Sequence, residues 1–319
     1  MYMARMGYCG KSLVACQGFL PAARRVCLGA GIATRGGRST ELFTVTDIGP
    51  ALFLGPCEGV DWLLPLRQNF RQMVVNTEYV DISLSGSPMR TFVAAPKAEG
   101  QYPSIWCYSD IFQLTPPLLR TCVRLAGYGF VAAAREIYRR IEPPGTVISF
   151  DDAGRTRGQQ DAAKTPVAHF DADCRAGLDW LSKHPKVAPG KIGVVGFCIG
   201  GHLAFRAAFQ SAVRAAVCYY ATGIHDGKLG QDADAGSLAR ATQIRGELLM
   251  IFGTKDPHVP EAGRETIDRA LQNSDVRYNT LLYAAEHAFT RDEGPRFDPE
   301  ATDLAFAEMV RLFRRVFHD

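Results

Sequence analysis

Short apolar runs alternate with longer amphipathic segments along residues 103–317. The apolar runs are rich in β-branched and aliphatic residues and are bounded by glycine, proline or polar residues, which is typical of buried strands. We predict strands centred near Ile105, Val131, Val194, Val217, Leu249 and Leu281. The amphipathic segments predict helices near residues 118–125, 167–181, 199–210, 262–271 and 300–317. Strands that alternate with helices form a mostly parallel central sheet with helices on both faces, so the sequence predicts an α/β fold.

Three regions of different composition divide the chain. Residues 1–40 hold six basic residues and no acidic residue, which is typical of an organellar transit peptide or of a disordered tail. Residues 41–75 form an added apolar segment. Residues 76–319 form the α/β domain, which begins with a predicted hairpin of residues 79–84 and 90–95. We expect a cytoplasmic protein, or an organellar one if residues 1–40 are a transit peptide.

Composition and charge argue against several classes of function. The chain has 319 residues, of which 47% are hydrophobic, and a formal net charge of +3. This balance does not favour nucleic acid as a partner. No run of eighteen apolar residues occurs, so we expect no membrane span. The nine cysteines are scattered and odd in number, which fits a reducing compartment better than a disulfide framework.

The most informative motif is KIGVVGFCIGG at residues 191–201, where a predicted strand runs into a predicted helix. A nucleophile on such a turn takes strained backbone angles, and small residues at Gly196 and Gly200 let the strand and the helix approach closely. The first amides of the helix would point at the Cys198 sulfur and favour a thiolate. The alternative is a buried, inert cysteine. The position on the turn favours a nucleophile.

Candidates for a general base and for the residue that orients it follow in the chain order of an α/β-hydrolase. Asp256 lies just past the predicted strand 247–253, and His287 lies in the loop after the predicted strand 277–283. We therefore predict that Cys198, Asp256 and His287 meet at one edge of the sheet. Taken singly, Asp256 could be an Asp-Pro turn residue and His287 a capping or loop histidine. We expect His287 to lose its proton near neutral pH, with activity rising as it does so.

Three segments together resemble the dienelactone hydrolase family, whose members are also named carboxymethylenebutenolidases. They are residues 196–201, 253–260 and 287–291, and the resemblance extends over roughly residues 76–317. It implies an α/β-hydrolase fold and a Cys-His-Asp triad that opens an enol-lactone by acyl transfer to sulfur followed by hydrolysis. It also implies no metal and no organic cofactor. His225 and His258 lack the partner spacing of a zinc site, and we expect His202 to pack within its helix.

The loop after the predicted strand 103–108 departs from the family pattern. The family has a glutamate there, followed by Ile, Phe and Gly, and the glutamate helps to convert the resting thiol to a thiolate. This chain has Asp110 in place of the glutamate and Gln113 in place of the glycine. Because Asp110 is one methylene shorter, the same hydrogen bond needs a water molecule or a shifted backbone. The alternative is that Asp110 caps the helix that starts near Pro116.

The remaining candidates bind the reacting oxygen or the substrate. The amides of Ile199 and Ile111 are the expected oxyanion hole, because one follows the nucleophile and the other follows an earlier strand. The resemblance implies that Arg291 binds a substrate carboxylate, which a guanidinium suits; the alternative is a solvated surface arginine. A second arginine of the family corresponds to Arg155 or Arg157, in a predicted loop at residues 152–158.

The predicted pocket differs from that of the family in its aromatic residues. Phe112 and Tyr138 match aromatic positions near the family's pocket, although core packing also explains Tyr138. No aromatic residue lies between Phe150 and Phe170, where the family's pocket wall carries several. We therefore predict a hydrolase of a small ester or (enol-)lactone, with the oligomeric state left open. The rival interpretations are a non-hydrolytic ligand-binding member of the fold and a thioesterase or peptidase.

Overall fold

The computed structural model describes residues 73–84 and 87–318, together with the backbone of two short strands near the start of the chain. These strands, β1 (Gly7–Cys9) and β2 (Ser12–Val14), pair antiparallel. The predicted extension 1–40 and the added segment 41–75 otherwise lie almost wholly outside the described residues. The chain divides into two compact units, Met1–Leu66 and Arg67–Asp319. The second unit holds all the elements that follow.

One eight-stranded sheet runs through the described part of the Arg67–Asp319 unit. Its strands are β3 (Val75–Ile82), β4 (Met89–Pro96), β5 (Tyr102–Tyr108), β6 (Val131–Arg135), β7 (Val187–Phe197), β8 (Val213–Tyr219), β9 (Glu247–Gly253) and β10 (Tyr278–Tyr283). Their order across the sheet is β10-β9-β8-β7-β5-β6-β4-β3. The six strands from β5 to β10 pair parallel, while the β3–β4 hairpin adds an antiparallel edge. The predicted mostly parallel sheet and its leading hairpin are confirmed.

Helices cover both faces of this sheet. They are α1 (Pro116–Gly127), α2 (Asp152–Lys164), α3 (Val167–Lys183), α4 (Ile199–Ala207), α5 (Glu261–Gln272) and α6 (Pro299–His318). Side chains alternate along a strand, so Val194 of β7 joins the core under α3, α4 and α5, while its neighbour Val195 joins the core under α1 and α6. Among the described residues, no helix has both the length and the apolar character needed to cross a bilayer.

Helix α2 replaces the loop predicted at residues 152–158. The Asp151 side chain caps the helix by accepting a hydrogen bond from the Gly154 amide at 2.7 Å. Gly154 and Gly158 obscure the helix in the sequence, because glycine costs about 1 kcal/mol relative to alanine in a helix. The structure explains both residues. A Cβ atom would lie 2.0 Å from the Ser149 carbonyl oxygen at Gly154, and 2.5 Å from that of Ile111 at Gly158. Helix α2 therefore lies directly against the loop that carries Ile111.

Candidate active site

Cys198 occupies the turn between β7 and α4, as predicted. Its φ of +60° and ψ of −121° are unusual for a residue with a side chain. Two backbone hydrogen bonds hold this conformation: the Cys198 amide donates to the Tyr219 carbonyl at 3.1 Å, and its carbonyl accepts from Gly201 at 3.0 Å. Cys198 is partly exposed, whereas the other cysteines of the described core are buried. The turn thus presents a thiol that a small molecule can reach.

Two glycines make this turn possible. A Cβ atom at Gly196 would lie 1.8 Å from the Gly200 carbonyl oxygen, and one at Gly200 would lie 2.2 Å from the Ser109 carbonyl oxygen. These are backbone contacts, so no flexible side chain can move aside. The sequence-based expectation that Gly196 and Gly200 permit a close approach agrees with this geometry.

The substitution Gly200→Ala is expected to lower the free energy of unfolding by about 2 kcal/mol, the usual cost of overpacking a tight site. The added methyl group must push α4 away from the loop after β5. Urea denaturation measures the effect, with Gly127→Ala as the matched control, because a Cβ atom at Gly127 would meet nothing within 4 Å. Equal stabilities of the two variants would contradict the prediction.

His287 and Asp256 meet in the folded chain. Nδ1 of His287 lies 2.7 Å from Oδ2 of Asp256, and Oδ1 of Asp256 accepts a hydrogen bond from the His258 amide at 2.8 Å. Both side chains are buried. The His287 ring also packs edge-on against Tyr220, with ring centres 5.1 Å apart. Because Nδ1 faces the carboxylate, Nε2 is the ring nitrogen that is left for another partner.

The surroundings of His287 change its titration. Burial alone would lower its pKa, but the charge of Cys198 and the hydrogen bonds to Asp256 and Cys198 outweigh burial and raise the pKa to about 9. Burial opposes ionisation of Asp256 as well, yet its hydrogen bond to His287 holds its pKa below the ordinary value. The expectation that His287 loses its proton near neutral pH is therefore wrong. The imidazole keeps its proton through neutral pH because two acidic partners face it.

Asp110 and Arg291 form an ion pair. Nη2 of Arg291 donates to Oδ2 of Asp110 at 2.6 Å, and Oδ1 of Asp110 accepts from the Phe112 amide at 3.0 Å. The two side chains are only 12% and 13% exposed. The alternative that Asp110 caps α1 is wrong, because the capping position is Thr115. The alternative of a solvated Arg291 is wrong as well.

Two neighbouring aromatic rings pack together against the Arg291 guanidinium. Its central carbon lies 4.7 Å from the ring centre of Phe112 and 4.5 Å from that of Phe150, and the two rings meet edge to face. Nε of Arg291 is buried and has no hydrogen-bond partner among the described residues. A cavity of about 30 Å³, lined by Arg291, Asp110, Phe197 and Tyr220 among others, adjoins the pair. The two rings thus form one aromatic surface against which the guanidinium rests.

The other predicted substrate-binding residues lie around α2. The Tyr138 hydroxyl donates to the Gly158 carbonyl at 3.1 Å, and burial followed by the charge of Cys198 raises the pKa of Tyr138. Tyr138 is thus a buried core residue. Arg157 pairs with Glu142 at 2.6 Å, and the mostly exposed Arg155 pairs with Asp152 at 3.1 Å. Among the described residues, Arg155 therefore pairs with Asp152 and Arg157 pairs with Glu142.

The loop after β8 also contributes to the site, which the sequence analysis did not foresee. The Thr222 amide donates to the Cys198 carbonyl at 3.3 Å, and Oγ1 of Thr222 lies 4.0 Å from the Cys198 sulfur. Nδ1 of His202 lies 3.1 Å from the Thr222 carbonyl, and Nε2 lies 2.7 Å from the Ser237 hydroxyl. Burial lowers the pKa of His202 to about 3, so its neutral ring donates through Nδ1 and accepts through Nε2. The buried His202, expected to pack within its helix, thus anchors Thr222 beside Cys198.

Comparison with known proteins assigns the chain to a family. A model of the dienelactone hydrolase family matches residues 89–317. The chain belongs to the dienelactone hydrolase family. This confirms the resemblance and its implied fold. Family members include a carboxymethylenebutenolidase of Pseudomonas sp., to which the chain is 27% identical over 219 residues, covering 69% of this chain and 87% of the relative.

Two further comparisons agree with the assignment. The chain is 34% identical over 254 residues to a Saccharomyces cerevisiae protein named "Putative carboxymethylenebutenolidase", covering 76% of this chain and 93% of the relative. A crystal structure described as "Putative Dienelactone Hydrolase" from Klebsiella pneumoniae has the same α/β-hydrolase fold, with a TM-score of 0.67 and 23% identity over 76% of this chain and 99% of that one. As a dienelactone hydrolase family member, the protein is a hydrolase of ester or lactone bonds.

Proposed function

We propose that the protein hydrolyses a small ester or enol-lactone that carries a carboxylate, through a thioester formed on Cys198. The observation that carries the proposal is the arrangement of three side chains at one edge of the sheet. Cys198 sits on a strained turn, the charge of Cys198 contributes to the raised pKa of His287, and Asp256 lies 2.7 Å from His287. These are the nucleophile, the acid–base group and the orienting carboxylate of acyl transfer.

The first chemical step forms the thioester. The Cys198 thiolate attacks the acyl carbon, a carbon–sulfur bond forms, and the carbonyl electron pair moves onto oxygen. The amides of Ile199 and Ile111 donate hydrogen bonds to that oxyanion, and each such donor is typically worth about 3 kcal/mol of transition-state stabilisation. When the intermediate collapses, the bond to the leaving oxygen breaks and the protonated His287 gives that oxygen its proton. A raised pKa for His287 supports this role, because the proton is already present at neutral pH.

The second step releases the acyl group. The now neutral His287 removes a proton from water, and the resulting hydroxide adds to the thioester carbon. The carbon–sulfur bond then breaks, which returns the thiolate and leaves the carboxylic acid product. His287 ends the cycle protonated, as it began. The steps need no metal or organic cofactor, and the reducing cytoplasm would preserve the thiol.

Arg291 supports the choice of a carboxylate-bearing substrate. The rings of Phe112 and Phe150 support its guanidinium, and its Nη2 donates to Asp110 in the resting protein. A substrate carboxylate would compete with Asp110 for the same donors. Displacement of Asp110 from Arg291 would bring the Asp110 carboxylate toward the Cys198 thiol. Asp110 would then take the role of the corresponding family glutamate. Arg155 or Arg157 would supply a second contact to the substrate.

Turnover of matched substrates tests the proposal. We expect the protein to hydrolyse an enol-lactone carboxylate with a kcat/KM about tenfold or more above that of its methyl ester, the size expected for losing one charge-assisted hydrogen bond. Intact-protein and peptide mass spectrometry of a slowly hydrolysed substrate should show the acyl mass on Cys198. Binding of the lactone without turnover would favour a ligand-binding protein instead. Faster turnover of acyl thioesters or peptides would favour the other enzymatic interpretation.

A further inference from the structure

We infer that Gln113 is a positioning residue that aligns the two aromatic rings supporting Arg291 at the carboxylate-binding site; the inference rests on the proposed function and deepens it. Gln113 lies directly after Phe112, in the loop that follows β5. It is 1% exposed and has a φ of +68°. This left-handed conformation is unfavourable for residues other than glycine. A buried glutamine at such a position needs compensating contacts.

The Gln113 carboxamide supplies those contacts through both of its polar atoms. Nε2 donates to the Thr146 carbonyl at 3.0 Å, and Oε1 accepts from the Tyr138 amide at 3.1 Å. Both partners are backbone groups of the segment between β6 and α2. The side chain therefore ties the loop after β5 to that segment at two points eight residues apart in sequence. A carboxamide has one atom that donates and another that accepts, so the single Gln113 side chain can make both hydrogen bonds.

The joined segments carry the two aromatic rings that pack against the Arg291 guanidinium. Phe112 belongs to the loop after β5, and Phe150 belongs to the segment before α2. A third bond, from the Ile148 amide to the Phe112 carbonyl at 3.2 Å, lies next to them. Since each ring lies within 5 Å of the guanidinium carbon, a relative shift of the two segments changes how the two rings support the Arg291 guanidinium. Gln113 fixes the relative position of the two rings without touching the substrate.

The test compares two variants of Gln113 with a matched control. Gln113→Gly removes the unfavourable φ together with both hydrogen bonds, and Gln113→Met removes the bonds but keeps the volume. The control is Asp275→Gly, because Asp275 has a φ of +55° on an exposed turn and relieves similar backbone strain there. Two readouts are measured: KM and kcat for a carboxylate-bearing aryl ester and for its methyl ester, and calorimetric affinity for benzoate and for benzamide.

We expect both Gln113 variants to raise KM for the carboxylate-bearing ester and to weaken benzoate binding about tenfold, the size expected for misaligning a charge-assisted contact. The methyl ester and benzamide should change less than twofold, and Asp275→Gly should change neither readout. A purely structural role would lower kcat for both esters equally, and that result would overturn the inference.

The second readout separates this inference from the proposed function. If the wild type fails to distinguish benzoate from benzamide, or if the Gln113 variants retain that discrimination, the inference is wrong. If discrimination depends on Gln113 but no ester is hydrolysed, the inference stands and the proposed hydrolysis fails. Circular dichroism and the urea midpoint of each variant confirm that a folded protein is being compared.

Discussion

The Cys198→Ala variant is expected to lose about 10⁶-fold in kcat on both an activated aryl ester and an enol-lactone, the loss found when the nucleophile of a serine triad is removed. The physical reason is that water would have to replace the sulfur as the attacking group, with no covalent intermediate. Steady-state kinetics at neutral pH measure the effect. Mass spectrometry should at the same time show no acyl adduct on the variant.

The matched control for this variant is Cys218→Ala. Cys218 lies in β8, is fully buried, and has its pKa raised by that burial, so its thiol is inert. It should keep wild-type turnover and the adduct on Cys198. Equal turnover by Cys198→Ala and the wild type would end the case for a thioester mechanism, whatever the family relationship.

Asp256→Asn is expected to lower kcat by about 10⁴-fold, as the corresponding change does in a serine triad, because the amide favours the wrong imidazole tautomer. The same variant should lower the pKa of His287 from about 9, since the Asp256 carboxylate is one of the groups that raise it. Titration of the His287 ring by NMR measures the pKa directly. The exposed pair of Asp179 and Lys183 provides the control Asp179→Asn, which should move neither quantity.

The raised pKa of His287 also determines how the free energy of unfolding changes with pH. A histidine whose pKa is raised by folding stabilises the native state fully below its ordinary value of about 6.5, and this contribution is lost as the pH rises through about 9. The wild type should therefore lose free energy of unfolding between neutral pH and pH above 9, and Asp256→Asn should lose less. An unchanged His287 pKa in the variant would show that Asp256 does not act on the ring.

The meeting of Cys198, Asp256 and His287 was predictable because each follows a parallel strand. Residues at the carboxyl ends of parallel strands lie along one edge of a sheet whatever their separation in sequence. Strong apolar runs identified β7, β9 and β10, and the chain order suggested the roles that we propose for the three residues. Local signals were sufficient here because the geometry is set by the fold and does not depend on fine packing.

Other parts of the site could not be predicted because they depend on contacts between distant segments. The pKa of His287 results from two acidic groups that only folding brings to it. The aromatic surface that supports Arg291 requires Phe112 and Phe150, which belong to separate segments. Helix α2 was missed because Gly154 and Gly158 lower helix propensity for a reason found only in the packing. The left-handed Gln113 gives no sequence signal of its own beyond its replacement of a family glycine.

The strand order affects how long the protein keeps its activity. Cys198 follows β7, in the interior of the sheet, whereas His287 follows β10, an edge strand whose side chains are partly or fully exposed. Edge strands open more readily than central ones, so local fraying would separate the imidazole from the sulfur while the core stays intact. The half-life of activity therefore depends on how stably β10 pairs with β9. Substitutions that stabilise the interior of the sheet would do little to extend it.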